Sequence, residues 1–243
     1  MRVLIMGTLL AAVGCTEKKL DAVALRTRGV AYRERGDYDR AIQDFEAAIK
    51  LKPDMAGAYS GRGIVYQLKG DHRRAIQDFD QALKLNPRLA IALKNRGRAH
   101  FFLGQFAEAA ADLRQGLTFD SSSTYNVIWL HLALKRLPQD DAKDFAAQLA
   151  RTDSVQWPAP IARFYLGRMT AAQLVAVSAT MDSKTLGDQR CAVAFYIGED
   201  LLWKQQPAEA RRQFEYARAN CPKIWTEYLG AVEELRRLDS GSQ

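Results

Sequence analysis

Apolar and polar residues follow one another with a helical period through most of the chain, and in its first half the pattern repeats. Between residues 22 and 123 each block of 34 residues holds two apolar stretches of helical spacing, parted by a Gly-Asp or Gly-Gln turn. The pentapeptide "AIQDF" stands at 41–45 and again at 75–79. Aligning outward from it gives three blocks, 22–55, 56–89 and 90–123. Position 8 is Gly29, Gly63 and Gly97; position 15 is Gly36, Gly70 and Gly104; position 20 is Ala41, Ala75 and Ala109. Position 24 is Phe45, Phe79 and Leu113, position 27 is Ala48, Ala82 and Gly116, and position 32 is Pro53, Pro87 and Ser121. Glycine at 15 can take positive φ and close the first helix. Small residues at 8, 20 and 27 let two helices approach, and the larger one at 24 fills the space between hairpins. Proline at 32 reads as the start of the next helix, where its missing N–H is harmless.

A fourth block begins at Cys191 and runs to 224, with Gly198, Ala210, Phe214, Ala217 and Pro222 at the equivalent positions. The intervening stretch, 124–190, is one residue short of two blocks. It is expected to hold two degenerate helical hairpins, 124–137 with 139–150 and 159–167 with 170–181. From Trp225 to about Arg237 a last amphipathic helix is expected to cover the open end of the stack, since solenoids need capped ends. The stretch "RTRGVAYRERGDYDRAIQDFEAAIKLKP" resembles a tetratricopeptide repeat (TPR). The resemblance implies an all-α solenoid of about six helical hairpins plus a C-terminal capping helix, wound as a right-handed superhelix.

Composition agrees, with 48% hydrophobic and 26% charged residues and only seven prolines in 243. The first fourteen residues, "MRVLIMGTLLAAVG", are too short to span a bilayer, which takes roughly 20 apolar residues. They fit a secretory signal better. "AAVGC" resembles a bacterial lipobox, which implies cleavage before Cys15, lipidation of that cysteine and a short tether over 15–21. Acyl chains contribute ~0.8 kcal/mol per buried CH₂, so the anchor would be firm. Thr16 after the cysteine points to the outer membrane, because lipoproteins kept in the inner membrane often carry Asp there. The formal charge of +7 becomes +6 without Arg2, and the basic residues are scattered, so nothing resembles a nucleic-acid arm.

In an antiparallel hairpin turning near positions 15 and 16, facing residues have position numbers adding to about 31. Position 23 (Asp44, Asp78, Asp112) then faces position 7 (Arg28, Arg62, Arg96), and in the fourth block both change, to Gln213 and Ile197. Joint presence and joint absence suggest an Arg–Asp latch in each regular hairpin. Ordinary solvated positions are the alternative. The same rule sets Cys191 opposite Cys221, which predicts a disulfide in an oxidising compartment, with two buried free thiols as the alternative.

No metal-ligand spacing, nucleophile motif or phosphate loop is present, and the three histidines are scattered, so no catalytic residue, metal or cofactor is expected. By analogy with TPR domains the concave surface is lined by the first helix of each hairpin. That selects Arg26, Val30, Arg33, Ser60, Ile64, Gln67, Lys94, Arg98 and Phe101, with Phe102 beside them. Basic side chains among apolar ones suit an extended or helical peptide of acidic character. The chaperone-type clamp for C-terminal carboxylates wants Asn where Val30 and Gly61 stand, which disfavours that ligand.

The lipobox, the repeats and the middle segments "IWLHLALKRL" and "VQWPAPIARFYLG" together resemble the NlpI-type TPR lipoproteins of Gram-negative envelopes. The family's pattern is matched by Trp129, Leu130, Leu132, Leu137, Trp157, Phe164, Tyr165, Leu166 and Gly167. The resemblance implies an outer-membrane adaptor that gathers peptidoglycan hydrolases, notably endopeptidases, and presents some of them to a periplasmic protease. Members that dimerise do so through a longer N-terminal helical segment than the six residues from Thr16 to Asp21, so a homodimer is possible but unsupported here. An assembly lipoprotein for pilus, secretion or outer-membrane protein machinery is the alternative, and a cell-wall enzyme a third reading.

Overall fold

The computed structural model describes residues 21–138, 142–150, 157–179 and 183–241, and all of the regular structure among them is α-helical. The helices are α1 (Ala22–Glu34), α2 (Tyr38–Leu51), α3 (Ala56–Leu68), α4 (His72–Leu85), α5 (Ala90–Phe102) and α6 (Phe106–Phe119). They continue as α7 (Thr124–Lys135), α8 (Ala142–Leu149), α9 (Ala159–Tyr165), α10 (Ala171–Ala179), α11 (Ser183–Trp203), α12 (Pro207–Asn220) and α13 (Thr226–Ser240). Successive pairs form six hairpins and α13 follows the last, giving a solenoid of helical hairpins. The expected leader and the expected lipidation site, Cys15, lie outside the described residues.

Local chemistry explains the hairpins. Asp37 and Asp71 follow the turn glycines and accept a hydrogen bond from the backbone N–H of Arg40 and Arg74, capping α2 and α4. Gly36, Gly70 and Gly104 sit at φ +76 to +77°, the left-handed region that a Cβ disfavours. In the sixth hairpin Gln205 occupies the same place at φ +60°, at a cost of about 1–2 kcal/mol. Position 8 must be glycine because a Cβ on Gly198 would come within 2.6 Å of the Phe214 ring, and one on Gly63 within 2.9 Å of Phe79. The prolines differ from the sequence reading. Pro53 and Pro87 lie in the connections after α2 and α4, three residues before the next helix begins, so they stop one helix rather than start another. The block boundary at Cys191 likewise falls inside α11, which begins at Ser183 and is 21 residues long.

Each regular hairpin is tied by a two-pronged ion pair. Arg28 donates to Asp44 at 2.7 and 2.7 Å, Arg62 to Asp78 at 2.8 and 2.7 Å, and Arg96 to Asp112 at 2.7 and 2.6 Å. A further arm reaches the preceding hairpin, Arg96 to Asp80 at 2.6 Å and Arg62 to Glu46 at 3.6 Å. Among the described residues no hairpin precedes Arg28, and its side chain is 48% exposed, against 20% for Arg62. Cys191 and Cys221 are joined by a disulfide across the sixth hairpin, Cα atoms 5.2 Å apart.

Buried apolar residues of the first hairpins fall into three small clusters, around Phe45, around Ala48 and around Phe79. From Phe101 onward one continuous cluster runs through all later hairpins to α13. Trp129 lies fully buried at its centre, edge-on to Phe101 and Phe102 and stacked on Phe195, with ring centroids 5.2 to 5.7 Å apart. α13 does more than cover the end of the stack. It packs on α11 and α12, with Gly230 against the Phe195 ring, and also reaches back to α5.

Candidate binding groove

The inner surface is built from the first helices α1, α3 and α5, and the predicted lining residues divide there into three groups. Arg26 runs its stem along Gly57 of the next hairpin, while Val30 and Arg33 are half-buried on α1. The Arg33 guanidinium is 3.6 Å from Glu34. Ser60, Gln67 and Lys94 are more deeply enclosed, and Ile64 is half-buried. Lys94 donates to the carboxylate of Asp120, and that bond, with a second from Ser122, draws the Asp120 pKa down to about 2. Phe101 and Phe102 belong to neither group. Both are buried in the continuous core against Trp129, so their assignment to the groove is corrected. The helical period that put them on the inner face is right, but α13 and Trp129 cover that part of it.

Two cavities remain on this face. One, of about 280 Å³, lies between Arg33, Ile64, Gln67 and Leu68 on one side and Ile224, Thr226 and Leu229 on the other. The second, of about 480 Å³, is floored by Trp129 and Asn126 and rimmed by Ile91, Tyr125, Ile224 and Trp225. Arg98, Ile224 and Thr226 are common to both. Arg98 is half-buried, and the hydration it loses there pulls its pKa down. It makes one hydrogen bond, from Nη2 to Asn95 Oδ1 at 2.6 Å, and its buried Nε has no partner.

Residues 29–70 match the family model described as TPR repeat, and residues 56–89 the one described as tetratricopeptide repeat. The stretch from 29 to 89 is made of tetratricopeptide repeats. Among solved structures the chain is similar to the first TPR domain of Spaghetti (RPAP3) bound to HSP90 peptide SRMEEVD. That match has 24% identity and a TM-score of 0.48, and covers 49% of this chain and 94% of that one. It is also similar to the Arabidopsis OM64 TPR domain, at 23% identity, TM-score 0.47, 48% of this chain and 96% of that one. A third is the second TPR domain of human RPAP3 with HSP70 peptide SGPTIEEVD, at 26% identity, TM-score 0.45, 46% of this chain and 94% of that one. Tetratricopeptide repeats typically act as scaffolds whose extended concave surfaces contact other proteins.

Beyond the tetratricopeptide repeats, a buried ladder of alternating charge fixes α13. Arg136, at the end of α7, donates to Glu199 at 2.7 Å and lies 3.1 Å from Glu234. Glu234 also accepts from Arg237, whose other nitrogen donates to the carbonyls of Phe101 and Phe102 at 2.7 and 2.8 Å. Those carbonyls end α5, and although the Gly104 N–H also reaches that of Phe101, the arginine caps the helix end. Phe101 and Phe106 flank both guanidinium groups. Burial raises Glu199 to about 7 against the opposing pull of Arg136, and Glu227 is raised for the same reason. Glu227 accepts from the Tyr196 hydroxyl at 2.9 Å, and His72, at the start of α4, lies 3.4 Å from Glu233.

None of these ladder residues is marked as special by its spacing in the sequence. "VEELRR" reads as one face of an amphipathic helix, and only the unusual density of Glu and Arg beside apolar residues could have pointed to it. Of the other histidines, His100 contacts Gln105 at 2.7 Å and His131 stacks on Phe145. Among the described residues no group of three His, Cys, Asp or Glu could hold a metal ion, and no helix is long and apolar enough to cross a membrane.

Proposed function

We propose that this protein is a non-catalytic adaptor, held by a lipid on Cys15 at the periplasmic face of the outer membrane. Its groove gathers envelope proteins, peptidoglycan hydrolases such as endopeptidases and a periplasmic protease among them. The observation that carries the reading is the pair of adjoining cavities on the concave face. They open beside Arg33 and Arg98, and on a scaffold of tetratricopeptide repeats they give a partner side chains both a charge to meet and apolar walls to fill. The disulfide accords with an oxidising compartment such as the periplasm. The lipobox resemblance supplies the anchor, and Asp21 leads directly into the first inner helix.

Crosslinking in intact envelopes followed by affinity capture tests the proposal, comparing the natural chain with one carrying Arg33→Ala and Arg98→Lys. Cell-wall hydrolases and a protease should be captured by the natural chain and depleted with the variant. Secretin or pilin components in their place, or the same proteins with both chains, would contradict it.

A further inference from the structure

Enclosed cations in this molecule are neutralised by carboxylates: Arg62 by Asp78, Arg96 by Asp112 and Asp80, Lys94 by Asp120, and Arg136 and Arg237 by Glu234. Arg98 departs from that habit. Among the described residues its hydrogen bond goes to a neutral amide and its Nε is buried without an acceptor, and Glu227, which lines the larger cavity and acts on it electrostatically, accepts from Tyr196 and forms no ion pair with it. A guanidinium that loses hydration normally recovers it from an anion, so a half-buried, incompletely paired one standing between two cavities is a place made for a negative charge. Around it the larger cavity has apolar edges, since Ile91 and Ile224 are 48% and 52% exposed, over a floor of Trp129.

The chain also shows how such a face is filled. α13 lies against the neighbouring part of it as a helix, and presents Glu234 to Arg136 and Glu233 to His72. We propose that Arg98 is the anchor for a glutamate or aspartate side chain on an amphipathic helix of the partner protein. Apolar residues a turn before and after that acid pack against Ile91 and Ile224. The proposal rests on the adaptor reading and gives its partner a chemistry, an internal acidic helix rather than a chain end. Arg33, across the smaller cavity and with only Glu34 at 3.6 Å, meets a second acid on the same partner helix.

Short amphipathic peptides, amidated at the C-terminus and labelled with a fluorophore, test this with the full chain. They carry Glu, Gln or Lys at one position between two leucines, and binding is read as anisotropy. The Glu peptide should bind saturably and at least about tenfold more tightly than the Gln peptide, the Lys peptide more weakly still. Arg98→Lys, which keeps the charge and loses the fork, should narrow that preference, and Arg98→Met should abolish it with the helical spectrum and melting temperature retained. If Arg98→Met does not fold, the Glu-to-Gln ratio on the natural chain decides. Equal binding of Glu and Gln peptides, no saturable binding of the Glu peptide, or a requirement for a free C-terminal carboxylate would each overturn the proposal. Capture of envelope proteins that is undiminished in a folded Arg98→Met chain would overturn it while leaving the adaptor reading in place.

Discussion

The first three hairpins and the region from α7 to α13 solve the same packing problem by opposite means. In the regular hairpins the ties that repeat are short in sequence. Arginine and aspartate sixteen residues apart clamp each hairpin, glycine lets an aromatic ring lie on the backbone, and the apolar clusters are small and separate. In the second region ladder ties reach 63 and 136 residues along the chain, charges are buried, and one apolar cluster is continuous. A stack held by nearest-neighbour contacts can be lengthened or cut without rewriting its rules. A stack whose last helix returns to its third hairpin cannot, and that return leaves the two cavities on its inner face.

Removing the ring at the centre of the long-range cluster should break the contrast most. Trp129→Ala is expected to cost about 5 kcal/mol, at the upper end of such truncations, and to loosen α5, α11 and α13 together, read by urea unfolding and hydrogen exchange. Phe79→Ala, at about 3–5 kcal/mol, should disturb its own hairpin and the next and leave exchange in α13 unchanged. Equal spread of protection loss in the two variants would erase the distinction.

Glu234→Gln comes next, because it leaves Arg136 and Arg237 incompletely paired in a buried setting, for about 3–4 kcal/mol. Thermal unfolding checks it, and an effect below about 1 kcal/mol would show the ladder to be ornamental. The ladder also sets a pH dependence. Burial holds Glu199 protonated up to about 7, so its stabilising contribution is present below the unfolded value of 4.5 and is lost as pH rises through about 7. Between pH 5 and 8 the natural chain should lose about 1–3 kcal/mol that Glu199→Gln does not, measured as the difference between their pH–stability curves.

The smallest effect separates the latches from one another. A double-mutant cycle on Arg62 and Asp78 should give about 1–2 kcal/mol of coupling, since both are largely enclosed. Arg28 and Asp44, with the arginine half exposed, should give less than about 1 kcal/mol.

How much of this could be read from the residues alone follows the same divide. A latch sixteen residues long repeats with its block, so Arg28, Arg62 and Arg96 and their aspartates declare themselves by periodicity. Position 25 did not, although Glu46 and Asp80 recur there, because their partners lie in the following hairpin. The ladder has no repeat to betray it: Arg136, Glu199, Glu234 and Arg237 meet only through the path of the whole chain. For the same reason Phe101 and Phe102 were read as groove residues. Phe101 has the register of Arg33 and Gln67, with Phe102 next to it, and nothing local announces that Trp129 and α13 lie over them. The prolines at position 32 misled for a simpler reason, since a residue that cannot continue a helix serves equally to end one or begin one.

Central to the account is that the concave face, not the outer one, receives other proteins. A photo-crosslinking amino acid placed singly at Val30 or Ile224 on that face, and at Leu51 or Tyr216 elsewhere on the exposed surface, compares the two in intact envelopes. Crosslinks to cell-wall hydrolases and a protease from Val30 and Ile224, with none from Leu51 and Tyr216, are the predicted result. The same adducts from Leu51 and Tyr216, with Val30 and Ile224 silent, would contradict it.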